Sequence, residues 1–272
     1  MGKISLVEIL QRPFALERDL MPSLRKNFAA ALAILMCLSF GQVAASAAPV
    51  KTVTVLAASS LQSQYSALAK KFMTAHPGIK INIAFGSSTT LANQIAAGAQ
   101  VDIFVSADRA NMATVLREIP EPVDYLVNQV VLAVPTSSPI SKISDLNGSI
   151  SWIQCAHTVP CGIAADKAVE SESSVNTSPV SLEPSASSVL AKLLAGAVDA
   201  AIVYRTDVIA NETKLRAINF KDANAASTTY QIGISKSAIS KRNREANIFL
   251  SSMKSKYVLN SLAQAGFQIA VR

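Results

Sequence analysis

The chain has 272 residues, half of them apolar and 16% charged, enough to bury one large core or two smaller ones. Its formal charge of +7 is dispersed, the densest basic group being Lys241-Arg242-Asn243-Arg244, and only 6% of its residues are aromatic. A nucleic-acid surface needs a basic stripe with stacking aromatics, so composition argues against nucleic acid as a partner.

The amino-terminal residues 1–47 do not read as part of the fold. Arg25 and Lys26 precede the apolar run Phe28–Phe40, and small residues from Val43 to Ala48 follow, with an Ala-x-Ala match at Ala45-Ser46-Ala47. That order is a secretory signal peptide. The run falls short of the ~20 residues of a comfortable membrane span; an uncleaved anchor is the alternative. Met21 begins a signal of ordinary length and is an alternative start to Met1. A lipid anchor at Cys37 would want a small residue ahead of it, where Met36 stands. The protein is therefore expected beyond the cytoplasmic membrane, periplasmic or held at the outer face of the cell membrane.

Strands and helices alternate from residue 51. Strand 51–56 leads to a helix over 61–75, where Leu61, Tyr65, Leu68, Ala69 and Phe72 recur at helical spacing. His76-Pro77-Gly78 ends it. A strand follows at 79–85, a helix at 91–97 stopped by Gly98, a strand at 101–106, and a helix at 111–118 broken by Pro120 and Pro122. The segment 125–134 is a long apolar strand. A strand is expected at 150–153 and a helix at 164–170, with Pro160 suited to the approach to its first turn. Residues 171–187, rich in Ser, Asn and Pro, read as loop. Then come a helix at 189–197, a strand at 200–204, a strand at 228–234, helices at 246–253 and 258–265, and a strand or extended tail at 267–271.

This alternation predicts an α/β fold with mostly parallel sheets. No strong linker divides it. The expected organisation is a first lobe from 48 to 128, a second lobe from 129 to 229, and a return segment from 230 to 272 that rejoins the first lobe. The strands 126–134 and 228–234 would be the crossings. A ligand cleft would lie between the lobes, where strand ends and helix starts meet.

Few side chains invite catalysis. Phosphate-loop, dinucleotide and nucleophile-elbow patterns are absent. There are two histidines, His76 and His157, which argues against a Ser-His-Asp or Cys-His hydrolase. Asp102 and Asp108 stand at strand ends, where capping is the ordinary role of a carboxylate. After export only Cys155 and Cys161 remain, closing a short loop; an oxidising compartment favours a disulfide, with two buried thiols as the alternative. His157 is the sole histidine near them, too few ligands for zinc.

The strongest pattern is a pair of serine-rich turns. Val53-Thr54-Val55-Leu56-Ala57-Ala58-Ser59-Ser60-Leu61 and Ile81-Asn82-Ile83-Ala84-Phe85-Gly86-Ser87-Ser88-Thr89-Thr90-Leu91 each run from an apolar strand into a helix. A helix start carries unpaired N–H groups and partial positive charge. Hydroxyls added there, with no lysine or arginine in either turn, suit a small dehydrated oxyanion. Taken singly, each serine is an ordinary N-cap.

These turns resemble the two signatures of periplasmic molybdate-binding proteins of ABC transporters. Val101-Asp102-Ile103-Phe104-Val105-Ser106-Ala107-Asp108, Val159-Pro160-Cys161-Gly162 and Ile202-Val203-Tyr204-Arg205-Thr206-Asp207 are similar to further segments of that family, over about residues 50–270. The resemblance implies a two-lobed, type II Venus-flytrap protein without enzymatic activity or cofactor, a monomer that binds molybdate, and tungstate as well, for a membrane permease. It implies that Ser60 and Ser88 each give a hydroxyl and a nearby backbone N–H, Cys161 and Ala186 a backbone N–H, and Tyr204 its phenol. The metal atom is reached only through the oxyanion, with no direct metal-ion ligand. Where the family usually has Val-Arg, this chain has Ala186-Ser187. The alternatives are the same fold binding sulfate or phosphate, an exported enzyme using Cys161 or a serine, and an interaction protein with no small ligand.

Overall fold

The computed structural model describes residues 50–241 and 243–270; the signal peptide expected at 1–47 lies outside them. Strand β1 (Lys51–Ala58) is the axis of the first lobe. Its buried positions, among them Val53, Val55 and Ala57, lie between parallel partners β2 (Ile79–Gly86) and β3 (Ile103–Ser106). A strand buried on both faces reads as a continuous apolar run, as here.

A short 3-10 turn over Ser59–Leu61 links β1 to helix α1 (Gln62–Ala75), which buries Tyr65, Leu68, Ala69 and Phe72. Helix α2 (Ser88–Ala96) begins three residues before the expected 91, because Ser87 caps it by accepting from the Thr90 N–H. Asp108 likewise caps α3 (Arg109–Ala113), which is short; the residues after Thr114 form turns rather than the expected helix. Asp102 does something different from capping the next helix. Its carboxylate accepts from the Thr54 N–H at 2.8 Å and from the Asn243 side chain at 2.9 Å, tying three parts of the lobe together.

Strand β4 (Val123–Pro135) belongs to both sheets. Up to Gln129 it pairs with β9 (Ser227–Ile234); from Val130 it pairs with β7 (Ala200–Tyr204) and then β8 (Leu215–Ile218). In the second lobe β7 is followed on its other side by β5 (Trp152–Cys155) and β6 (Ser181–Glu183). The path is β2-β1-β3-β9-β4-β7-β5-β6, with β8 and the short β10 (Gln268–Ile269) also on β4.

The fold is therefore α/β with mixed pairing. The outer strands of each lobe are parallel, as the alternation predicted, and every pair involving β4 or β9 is antiparallel. The reason is topological: strands that pass between the lobes run against the βαβ units they join. One core gathers Val53 of β1, Ile103 of β3, and Tyr125 and Leu126 of β4 with Tyr230, Ile232 and Phe249 from the returning chain. A separate core, with Trp152 and Tyr204, is drawn from residues 130–226.

Helices α4 (Pro160–Glu170) and α5 (Ala186–Leu194) cover the second sheet, followed by α6 (Arg205–Ile209); α7 (Lys236–Ser240), α8 (Arg244–Met253) and α9 (Lys256–Gln264) return to the first lobe. The segment 171–187, expected as loop, holds β6 and the start of α5. Three residues carry little periodic signal, and β6 exists because β5 supplies its ladder. Among the described residues no helix is long and apolar enough to cross a membrane.

Candidate functional site

Each βα junction leaves the first N–H groups of its helix without an intrahelical acceptor. Four such starts, at Ser59-Ser60, Ser87-Ser88, Pro160-Cys161 and Ser185-Ala186, line one narrow void together with Tyr204. The void totals about 210 Å³ including its mouth. The room enclosed within it is about 10 Å³, far below the ~300–1,000 Å³ of ordinary organic-ligand pockets, so the void as it stands is closed down tightly. The five residues singled out from the sequence, Ser60, Ser88, Cys161, Ala186 and Tyr204, all lie on it. Among the described residues none of its lining side chains is charged.

The hydroxyls are held by specific partners. Ser88 Oγ accepts the Ala107 N–H at 2.8 Å. An amide N–H can only donate, so the Ser88 proton is left to point elsewhere. Ser60 Oγ stands 2.7 Å from Tyr230 Oη, in a buried contact. Ser185 Oγ caps α5 through the Ser188 N–H and also bonds the Ser188 hydroxyl at 2.7 Å.

Tyr204 ends β7 at the floor of the void. Its ring is buried, and its Oη has no hydrogen-bond partner among the described residues. Burial pushes its phenol well above the ordinary range, reinforced by nearby Tyr230, Asp108 and Asp207. It therefore stays a neutral O–H donor. A buried hydroxyl left unpaired costs about 1–3 kcal/mol.

Cys161 enters through its backbone. Cys155 and Cys161 form a disulfide, with Cα atoms 5.7 Å apart. The Sγ atoms are thereby tied up, and what Cys161 presents is the second residue of α4. Gly162 makes that turn possible: a Cβ there would lie 1.9 Å from the Ala156 carbonyl oxygen. His157 turns away to Asp166, its Nδ1 2.8 Å from Oδ2. No group of three His, Cys, Asp or Glu able to hold a metal ion occurs among the described residues.

Sequence reading missed Tyr230, Ser185 and Ala107. Ser185 carries the ordinary signal of an N-cap, masked by the loop-like composition around it. Ala107 acts through its main chain, and Tyr230 stands 170 positions from its partner Ser60, so neither leaves a local signal.

The chain is 32% identical to the molybdate-binding protein ModA of Mycobacterium tuberculosis over 192 residues, covering 68% of this chain and 73% of that protein. It is 27% identical to the putative ABC transporter substrate-binding lipoprotein YvgL of Bacillus subtilis, over 79% of this chain and 86% of that one. Among solved structures, the periplasmic molybdate-binding protein of Azotobacter vinelandii superposes with a TM-score of 0.68 at 20% identity, covering 79% of this chain and 98% of that one. The sulfate-binding protein SubI of Mycobacterium tuberculosis gives 0.64 at 16% identity, covering 81% and 87%. At such identities the structural likeness shows the two-lobed periplasmic binding-protein fold. The sequence relatives are binding proteins, not enzymes, and this chain is likewise a binding protein. The family described as bacterial extracellular solute-binding protein matches residues 53–268, and the chain belongs to that family.

Proposed function

We propose that this chain is an extracytoplasmic receptor that captures molybdate, and tungstate of the same shape and charge, for import by an ABC permease. One observation carries the reading: Tyr204, its Oη buried and unpartnered, lines a void walled by helix starts and hydroxyls with no charged side chain among the described residues. A doubly charged oxyanion loses much hydration on entry. Each hydrogen bond to a charged group returns about 1.5–3 kcal/mol, so several convergent donors offset that cost. Ser60 and Ser88 supply hydroxyls and N–H groups, Cys161 and Ala186 supply N–H groups, and Tyr204 supplies its phenol. A backbone donor is indifferent to the Ala186-Ser187 departure from the family pattern.

The 32% identity to a molybdate-binding protein supports molybdate over other anions. Hydrogen phosphate carries a proton at neutral pH and wants an acceptor; a wall of donors without a carboxylate disfavours it. Sulfate remains the second reading, supported by the fold shared with a sulfate-binding protein. The lobes are read as 48–128 with 230–272, and 129–229, closing on the anion as a monomer and presenting the closed face to the permease. Export rests on the signal at residues 1–47.

The test is thermal unfolding with molybdate, tungstate, sulfate and phosphate added separately. A ligand at a thousand times its Kd stabilises by about 4 kcal/mol, a shift on the order of 10 °C for a protein of this size. A shift with molybdate and tungstate only is the expected result. A shift with sulfate alone replaces the ligand, and no shift with any of them overturns the receptor reading.

A further inference from the structure

We infer that Tyr230 is a positioning residue for the bound anion: its hydroxyl donates to Ser60 Oγ and thereby turns the Ser60 proton into the cleft. The inference rests on the receptor reading above and adds to it a residue outside the wall of the void. Tyr230 lies on β9 opposite Leu126 of β4, fully buried, its ring edge-on to Phe267 at 5.7 Å. Its Oη is 2.7 Å from Ser60 Oγ.

Distance alone leaves two proton arrangements. If Ser60 donates to Tyr230, Ser60 has only lone pairs to offer an anion, and the contact is repulsive. If Tyr230 donates to Ser60, the single Ser60 proton is free for the anion. The neighbours of Tyr230 decide between them, starting from a group whose polarity is fixed. The Gln129 N–H can only donate, and it donates to Asn128 Oδ1 at 2.9 Å. The Asn128 amide is thereby oriented with Nδ2 away from Gln129. One Nδ2 proton goes to Thr206 Oγ1 at 2.9 Å. We assign the second Nδ2 proton of Asn128 to the neighbouring Tyr230 hydroxyl. Tyr230 oxygen then accepts, and its own proton goes to Ser60.

The order of donation is thus Gln129 N–H to Asn128, Asn128 to Tyr230, Tyr230 to Ser60, and Ser60 to the anion. It starts on β4 at the point where that strand leaves one sheet for the other, and ends in the cleft. Tyr204, its ring 6.2 Å from that of Tyr230, is the second phenol beside the Tyr230 hydroxyl.

Isothermal titration with molybdate tests this in the wild type, Tyr230→Phe, Ser60→Ala and Ser88→Ala, and in the two doubles that combine Tyr230→Phe with each serine variant. Tyr230→Phe keeps the ring and its packing, and is expected to weaken molybdate about tenfold. It should add nothing in the Ser60→Ala background and keep its full effect in the Ser88→Ala background. A purely structural role would cost the same in both. That result, or wild-type affinity in Tyr230→Phe, overturns the inference. If Tyr230→Phe does not fold, Asn128→Asp carries the test: an acceptor in place of the amide draws the Tyr230 proton away from Ser60, and unchanged affinity overturns the inference. A wild-type protein that binds none of molybdate, tungstate or sulfate overturns the receptor reading itself, a failure distinct from the others.

Discussion

Thr89 and Thr158 join the two lobes at the edge of the cleft. The Thr89 hydroxyl, on the second residue of α2, donates to the Thr158 carbonyl at 2.9 Å across 69 positions of sequence. Thr158 lies within the loop closed by the Cys155–Cys161 disulfide, so its carbonyl is presented by a short, braced segment.

If the lobes close on the anion as proposed, this contact belongs to the bound state. Thr89→Val keeps the side-chain shape and deletes the donor. Net contributions of one exposed hydrogen bond are about 0.5–1.5 kcal/mol, so molybdate affinity is expected to fall by a few-fold, mainly through faster release. Stopped-flow dissociation checks this, and an unchanged release rate would remove Thr89 from the closure mechanism.

Ser88 holds the Ala107 N–H and, in the proposed receptor, the anion, so its loss is expected to show in two measurements. Ser88→Ala strands the Ala107 N–H in a buried site, which costs about 1–3 kcal/mol of stability. It also removes a hydroxyl from the cleft, lowering affinity about tenfold or more. Chemical denaturation reads the first and calorimetry the second.

Gly162 is under a steric constraint rather than a conformational one. In Gly162→Ala the new methyl carbon would meet the Ala156 carbonyl oxygen at 1.9 Å, so the start of α4 must move. Overpacking of this sort costs about 1–3 kcal/mol or more, and it carries the Cys161 N–H away from the cleft. Both the melting temperature and the anion affinity should drop.

Asp207 sets a pH dependence. Burial pushes its carboxyl up to about 7, against the Tyr204 N–H that donates to it. The folded state therefore holds a proton that the unfolded state has already released. Its contribution to stability is present at low pH and is lost as pH rises from about 4 through about 7. Asp207→Asn still accepts from Tyr204 and does not ionise. Comparing the pH profiles of unfolding free energy for the two proteins over about pH 4–8, the variant should lack that decline.

Much of the fold is legible because its signals are local. The run of β1 and the Leu61–Phe72 spacing of α1 each follow from periodicity within one element, and the serine caps announce the helix starts that ring the cleft. Strand β6 and the antiparallel pairs of β4 and β9 are not local: they depend on which strand lies alongside.

The same division runs through the site. The chemical character of the cleft is written along the chain, since hydroxyls and capping residues at strand-to-helix turns, without a basic side chain in either turn, can be read in order. It took the packed molecule to bring those turns face to face, to leave Tyr204 Oη without a partner among the described residues, and to carry Tyr230 to Ser60. A helix start is made by its own few residues, whereas the direction of a hydroxyl proton is set by whichever distant group the packing places beside it.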